Sequence, residues 1–258
     1  MKIGLMNDPA KPVADEIRRI GRAGFDFIDL TLEGPCAFSI DPKEIKPILS
    51  DCGLFVVGHT DPLLPWAYPV ESVRRACISE FARAAETFAA LGAKLMNIHP
   101  CYAAPVLMRN DVVEFNRSSL PAIAQAATSF NLSLMLENFM FPFNTVEVMK
   151  GLMDAVPGLL LHLDFGHTNL GGDGPDVFLD RLGADLAHVH FSDNRGWADH
   201  HMPLGVGTVD WKKMVSALKK SGYDGTITLE VFCSDPGMGM EYCKMSRDYV
   251  RRLWDEAG

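Results

Sequence analysis

The sequence predicts a closed (β/α)₈ TIM barrel, on three observations. Short apolar runs and helix-like amphipathic stretches alternate eight times along 258 residues, about the length of one such barrel. The passage from helix to strand repeatedly carries a glycine, the residue suited to the left-handed position just past a helix end. Six apolar runs stop on a residue able to bind a metal: His59, His99, Glu137, Asp164, His190 and Glu230. One such ending means little. Six imply strand ends gathered around a common point, and a parallel barrel builds its active site at the C-terminal rim of its strands. An open doubly wound sheet is the alternative, but eight similar units favour closure.

The elements follow in order. A first strand at 2–6 leads through Asp8-Pro9 to a helix at 12–23. Gly24 then opens FDFIDL, a strand at 26–31, and Asp41-Pro42 begins a helix at 42–51. Gly53 precedes a strand at 54–59, followed by a helix at 71–91. Gly92 precedes a strand at 94–99, followed by a helix at 111–130. The fifth strand, 132–137, is entered through Asn131, the next-best residue for a left-handed turn. Asn144-Thr145 then supplies the cap of a helix at 145–156. Gly158 opens a strand at 159–164 with a helix at 175–182, and Gly183 opens a strand at 185–190. Asp210 caps a helix at 210–221, and Gly222 leads to a strand at 226–230 and a last helix at 239–255. No linker or low-complexity segment divides the chain, so residues 1–258 read as a single domain.

Composition narrows the function. Hydrophobic residues make up 48% and charged residues 22%, ordinary for a soluble globular protein. The start MKIGLMNDPA has no apolar core of a signal peptide, and no run approaches a membrane span. A soluble, cytoplasmic protein with no membrane partner is expected. The six cysteines form no CxxC pair and read as reduced thiols. A net charge of −9 gives no general attraction to nucleic acid, which disfavours it as a partner.

Imidazole and carboxylate suit divalent metals such as Mn, Co, Mg or Zn. Glu137, Asp164, His190 and Glu230 end strands five to eight, neighbours in a barrel, so one ion could take all four. A second tier is offered by His59 and His99, by His167 three residues after Asp164, and by Asp199 and His201 in the loop after strand seven. His162 and His188 lie two residues before Asp164 and His190. Strand alternation puts them on the same inward face, one layer deeper. The apolar segments 62–69, with Trp66, and 139–143, with Phe139, Phe141 and Phe143, are candidates for a lid or a homo-oligomer interface.

The motifs LEN at Glu137, LDFGH at Asp164 and His167, HVHFSDN at His190, DHHMPLGVGTVDW from Asp199 and LEVF at Glu230 resemble those of the xylose isomerase-like barrel superfamily. The resemblance covers almost the whole chain. The superfamily holds sugar and sugar-phosphate isomerases and epimerases, and also the endonuclease IV nucleases. In the ketose 3-epimerase branch the positions matching Glu137, Asp164, His190 and Glu230 hold one divalent ion, and the two glutamates move protons. The His167 position and an arginine soon after the His190 position bind substrate; Arg195 lies one residue short of that spacing. In the endonuclease IV branch nine ligands hold three zinc ions, and all nine positions are matched here: His59, His99, Glu137, Asp164, His167, His190, Asp199, His201 and Glu230. The flanks around His59 and after Asp164 depart from that branch, and the loop after LEN is apolar.

The resemblance therefore implies a metal-dependent isomerase or epimerase of a sugar, keto-sugar or sugar phosphate. The chemistry would pass through a metal-stabilised enediolate, with Glu137 and Glu230 as acid/base pair, His167 and Arg195 on the substrate, and Trp66 walling off water. The alternative is a zinc phosphodiesterase, with a multinuclear Zn cluster, acting on abasic DNA.

Overall fold

In the computed structural model, which describes residues 1–34, 40–102, 106–233 and 235–257, eight parallel strands close into a barrel in sequence order. They are β1 (Lys2–Met6), β2 (Phe27–Leu32), β3 (Phe55–Thr60), β4 (Leu95–Ile98), β5 (Ser133–Glu137), β6 (Leu160–Asp164), β7 (Leu186–Phe191) and β8 (Thr226–Leu229). Closure is made by β8 on β1, with Leu229 opposite Leu5. The helices are α1 (Val13–Arg22), α2 (Pro42–Cys52), α3 (Glu71–Ala90), α4 (Val112–Thr128), α5 (Val146–Met153), α6 (Phe165–Thr168), α7 (Pro175–Leu182), α8 (Trp211–Lys220) and α9 (Pro236–Glu256). Short α6, directly after β6, was not expected from the sequence.

Helix-to-strand turns follow the glycine rule with one exception. Gly24, Gly53, Gly92, Gly158 and Gly222 have φ between 66° and 89°, and Asn131 takes φ 59° in the same role. Gly183 instead keeps a right-handed conformation and opens a 3₁₀ turn, Gly183–Asp185. Two expected caps are also corrected. Asp41 and Asp210 cap α2 and α8 through Lys43 and Lys213 N–H. Asp8 accepts from Ala10 N–H instead, and α1 starts later, behind Pro12. Neither Asn144 nor Thr145 caps α5; the Val146 N–H donates to Asp173 in the loop after β6, 2.8 Å away. The side chain nearest in sequence loses to one brought close by the fold.

The main core lies between barrel and helices. α1 turns Val13, Glu16, Ile17 and Ile20 inward, the spacing of one helix face. Fully buried side chains such as Phe81, Phe88, Ile123, Phe178 and Val215 each contribute about 1.5–3 kcal/mol by leaving water. A smaller cluster fills the barrel's lower interior: Phe27, Val57 and Met135, with Leu95, Leu160 and Ala187 against it. Gly4 on β1 makes room there, since a Cβ would overlap the Phe27 ring. One step higher the same strands carry polar side chains, and the site begins. Five cysteines, Cys52, Cys77, Cys101, Cys233 and Cys243, are free thiols, and Cys36 lies outside the described residues. No helix among the described residues is long and apolar enough to cross a membrane.

Candidate metal centre

Strand alternation delivers the site. Two residues above Met135 on β5 stands Glu137; two above His162 on β6 stands Asp164; two above His188 on β7 stands His190. Glu230 follows β8 directly. Register aligns them, with Glu137 opposite His162 and Asp164 opposite His190. All four are buried, and their ligand atoms lie within 4.8 Å of one another. His190 Nδ1 is 3.1 Å from Glu230 Oε2, 3.8 Å from Glu137 Oε1 and 3.9 Å from Asp164 Oδ2.

The donor set fits a divalent cation. Glu137 Oε1 and Asp164 Oδ2 are buried and receive no hydrogen bond. Leaving such an acceptor unsatisfied costs about 1–3 kcal/mol, more for a charged group. Both residues belong to the four-residue set, and oxygen with imidazole nitrogen is a ligand set that zinc and manganese accept.

Electrostatics agree. Burial pushes the Asp164 carboxyl up to about 7, helped by the charges of Glu137 and Glu230. Burial acts against Glu137 too, but His162, His99 and His190 outweigh it and hold Glu137 well below the usual carboxylate range. Glu230 is likewise lowered against its burial, by His201 and His190. His190 is raised well above an ordinary histidine: burial opposes its charge, but Glu137, Asp29 and Glu230 favour it.

The expected second tier also converges. Glu137 Oε2 receives Asn97 Nδ2 at 2.7 Å, with His99 Nε2 at 3.0 Å, His162 Nδ1 at 3.1 Å and His59 Nε2 at 3.8 Å. The His162 approach lacks hydrogen-bond alignment, and both His162 nitrogens stay unpartnered. Beyond Asp164, Asp199 Oδ2 meets His167 Nε2 at 3.1 Å and His201 Nε2 at 3.0 Å. Against burial, Asp199 and Glu230 raise His201 to about 9.

The loop carrying Asp199 and His201 is pinned by buried Asp193. This carboxylate accepts from Gly205 N–H at 2.8 Å, Val209 N–H at 3.2 Å and the Trp211 indole at 3.0 Å. His201 is held at φ 48°, a left-handed conformation that costs a non-glycine residue about 1–3 kcal/mol. Its carbonyl accepts from Phe232 N–H, which ties it to the residues after β8.

The remaining candidates separate. Trp66 is buried, and its indole donates to the His99 carbonyl at 3.0 Å, bracing the residue just past β4. Of the three phenylalanines, Phe143 is buried and Phe141 is 77% exposed. Phe139 alone touches the site, its ring edge-on to His99 and His167 at 5.1 and 5.0 Å. Arg195 is exposed on the loop after β7.

Three contributors escaped sequence reasoning. Asp29 on β2, Asn97 on β4 and Asn138 after β5 are completely buried. Asn138 clasps the Asp164 backbone, accepting its N–H at 2.7 Å and donating to its carbonyl at 3.0 Å. The available signal was a lone polar residue at an inward position of an apolar strand, as in FDFIDL and KLMNIH.

Comparison with known proteins places this geometry in context. The family described as xylose isomerase-like TIM barrel matches residues 17–252. An uncharacterized protein of Methanocaldococcus jannaschii is 27% identical over 89% of this chain and 83% of its own length. L-ribulose 3-epimerase of a Methylomonas species is 28% identical over 92% of this chain and 83% of its own length. The crystal structure of a D-tagatose 3-epimerase-like protein superimposes with a TM-score of 0.86 at 24% identity, covering all of both chains.

Proposed function

The chain belongs to the xylose isomerase-like TIM barrel family, and from that premise we propose that it is a divalent-metal-dependent epimerase or isomerase acting on a sugar, keto-sugar or sugar phosphate. The single observation that carries the proposal is the convergence of Glu137, Asp164, His190 and Glu230, with two buried glutamates beside one imidazole nitrogen. The epimerase relative supports the substrate class.

Glu137, Asp164, His190 and Glu230 would hold the ion, and the ion would supply Lewis-acid polarisation of the substrate carbonyl. The protein's own residues do the rest. Glu137 and Glu230 are both biased toward the ionised form, so either can accept the proton on the carbon beside the carbonyl. Loss of that proton leaves an enediolate. The second glutamate, once it has taken a proton from solvent, delivers it to the opposite face and inverts the carbon, which is epimerisation. One glutamate carrying the proton between adjacent carbons gives aldose–ketose isomerisation instead. The Asn138 carbonyl holds His167 Nδ1 at 2.8 Å, and Nε2, which faces Asp199 at 3.1 Å, is assigned to a substrate oxygen that would take the place of that carboxylate. Phe139 covers His99 and His167 and excludes water; Arg195 is assigned to the outer oxygens of the substrate.

The test is turnover of ketopentoses, ketohexoses and their phosphates in deuterium oxide with Mn²⁺. The expected product is an epimer or isomer carrying solvent deuterium at the reacting carbon. Undiminished turnover in both Glu137→Gln and Glu230→Gln would sink the acid/base assignment.

A second reading has its own observation. Asp199 Oδ2 joins His167 and His201, while Glu137 Oε2 faces His99 and His59. Nine candidate ligands therefore fall into linked sets, as a multinuclear zinc phosphodiesterase requires. Cleavage of abasic DNA, with no sugar turnover, would favour it.

A further inference from the structure

Beneath the four ligands lies a carboxylate that the proposed reaction does not use. Asp29 is completely buried on β2. Its Oδ2 faces His190 Nε2 at 2.7 Å, Thr228 Oγ1 at 2.8 Å and His188 Nε2 at 3.3 Å. An ionised carboxylate can only accept, so each of these partners must donate. Three groups able to donate converge on this one oxygen, the arrangement that an ionised carboxylate accepts.

Hydrogen-bond accounting then fixes the protons. Thr228 gives its one hydroxyl proton to Asp29, so a Thr228 lone pair is left for His188 Nε2, 3.0 Å away. His188 Nε2 therefore carries a proton shared between Asp29 and Thr228. On its other side, His188 Nδ1 faces Thr226 Oγ1 at 2.6 Å. The same logic puts a proton on His190 Nε2.

We propose that Asp29 is a positioning residue of the metal centre, holding His190 in the Nε2–H tautomer so that Nδ1 is presented to Glu137, Asp164 and Glu230. A ligating histidine whose far nitrogen donates to a carboxylate is fixed in orientation and made more basic. Here that carboxylate comes from β2, so the first half of the barrel sets the geometry of the second. The proposal rests on the metal-dependent reading of the site, not on the reaction catalysed there.

The test is calorimetric titration of Mn²⁺ into metal-stripped protein. Asp29→Asn is expected to weaken binding about 10–100-fold while leaving the stoichiometry unchanged. Thr226→Val, which disturbs His188 but not Asp29, is expected to keep the wild-type affinity. Equal effects of the two substitutions, or no effect of Asp29→Asn, would overturn the proposal. Long-range ¹H–¹⁵N correlation of the histidine rings in unmodified, Mg²⁺-loaded protein tests it without relying on a variant that folds. A proton on His190 Nε2 is expected, and a proton on Nδ1 overturns the assignment. Weakened Mn²⁺ binding by Asp29→Asn in a protein that turns over no sugar would uphold Asp29 and overturn the epimerase.

Discussion

The barrel interior has two levels built on the same strands, and a step of two residues separates them. On the lower level stand Phe27, Val57 and Met135; on the upper level the same strands present Asp29, His59 and Glu137. Alternation points all of them inward. The lower side chains fill space and keep the floor dry. The upper ones, raised above that floor, interact at short range in a medium that screens them little. One level holds the barrel together and the other carries the chemistry, so substitutions on the two should separate stability from turnover.

The widest separation is expected at the upper level. Glu137→Gln and Glu230→Gln each remove a proton carrier, and turnover should fall by about 100- to 10,000-fold, the usual worth of general acid–base catalysis. Thermal unfolding and sugar kinetics on the same samples check this; a fold lost together with activity would erase the distinction. Phe27→Ala tests the lower level. The ring is fully buried and stacks on Phe55 at 5.0 Å, so truncation should cost about 3–5 kcal/mol in denaturant unfolding. Metal stoichiometry should be unchanged, and its loss would show that the floor also shapes the donors.

Proton competition should be smaller in effect and specific to the upper level. Burial, with Glu137 and Glu230, places the Asp164 carboxyl near 7, and His190 lies well above the ordinary histidine value. Ligation needs both without their competing protons. Metal affinity should therefore rise through about pH 7 as Asp164 loses its proton and keep rising above that as His190 loses its own, with proton release visible as buffer-dependent binding heat. A flat affinity would mean that Asp164 does not ligate. Phe141→Ala, on a side chain 77% exposed and on neither level, should change unfolding free energy by less than about 0.5 kcal/mol.

The strand ends were legible in the sequence for a physical reason. Glycine and asparagine turns marked where β2 to β8 begin, and apolar runs marked how far each goes, so strand limits were placed within one residue. Glu137, Asp164, His190 and Glu230 were legible because they end those runs. Asp29 and Asn97 were not, because a single inward polar residue inside an apolar strand resembles an ordinary break in alternation. The cap of α5 by Asp173 was hidden for a related reason. Its partner lies 27 residues away, and only the closed barrel brings the two loops together.

The central claim, one divalent ion held by the ends of β5 to β8, is tested most directly by metal content per chain, using protein purified without a metal-affinity tag. About one ion per chain is predicted, lost on Asp164→Ala. About three zinc ions per chain would contradict it and make His59, His99, His167, Asp199 and His201 ligands in their own right.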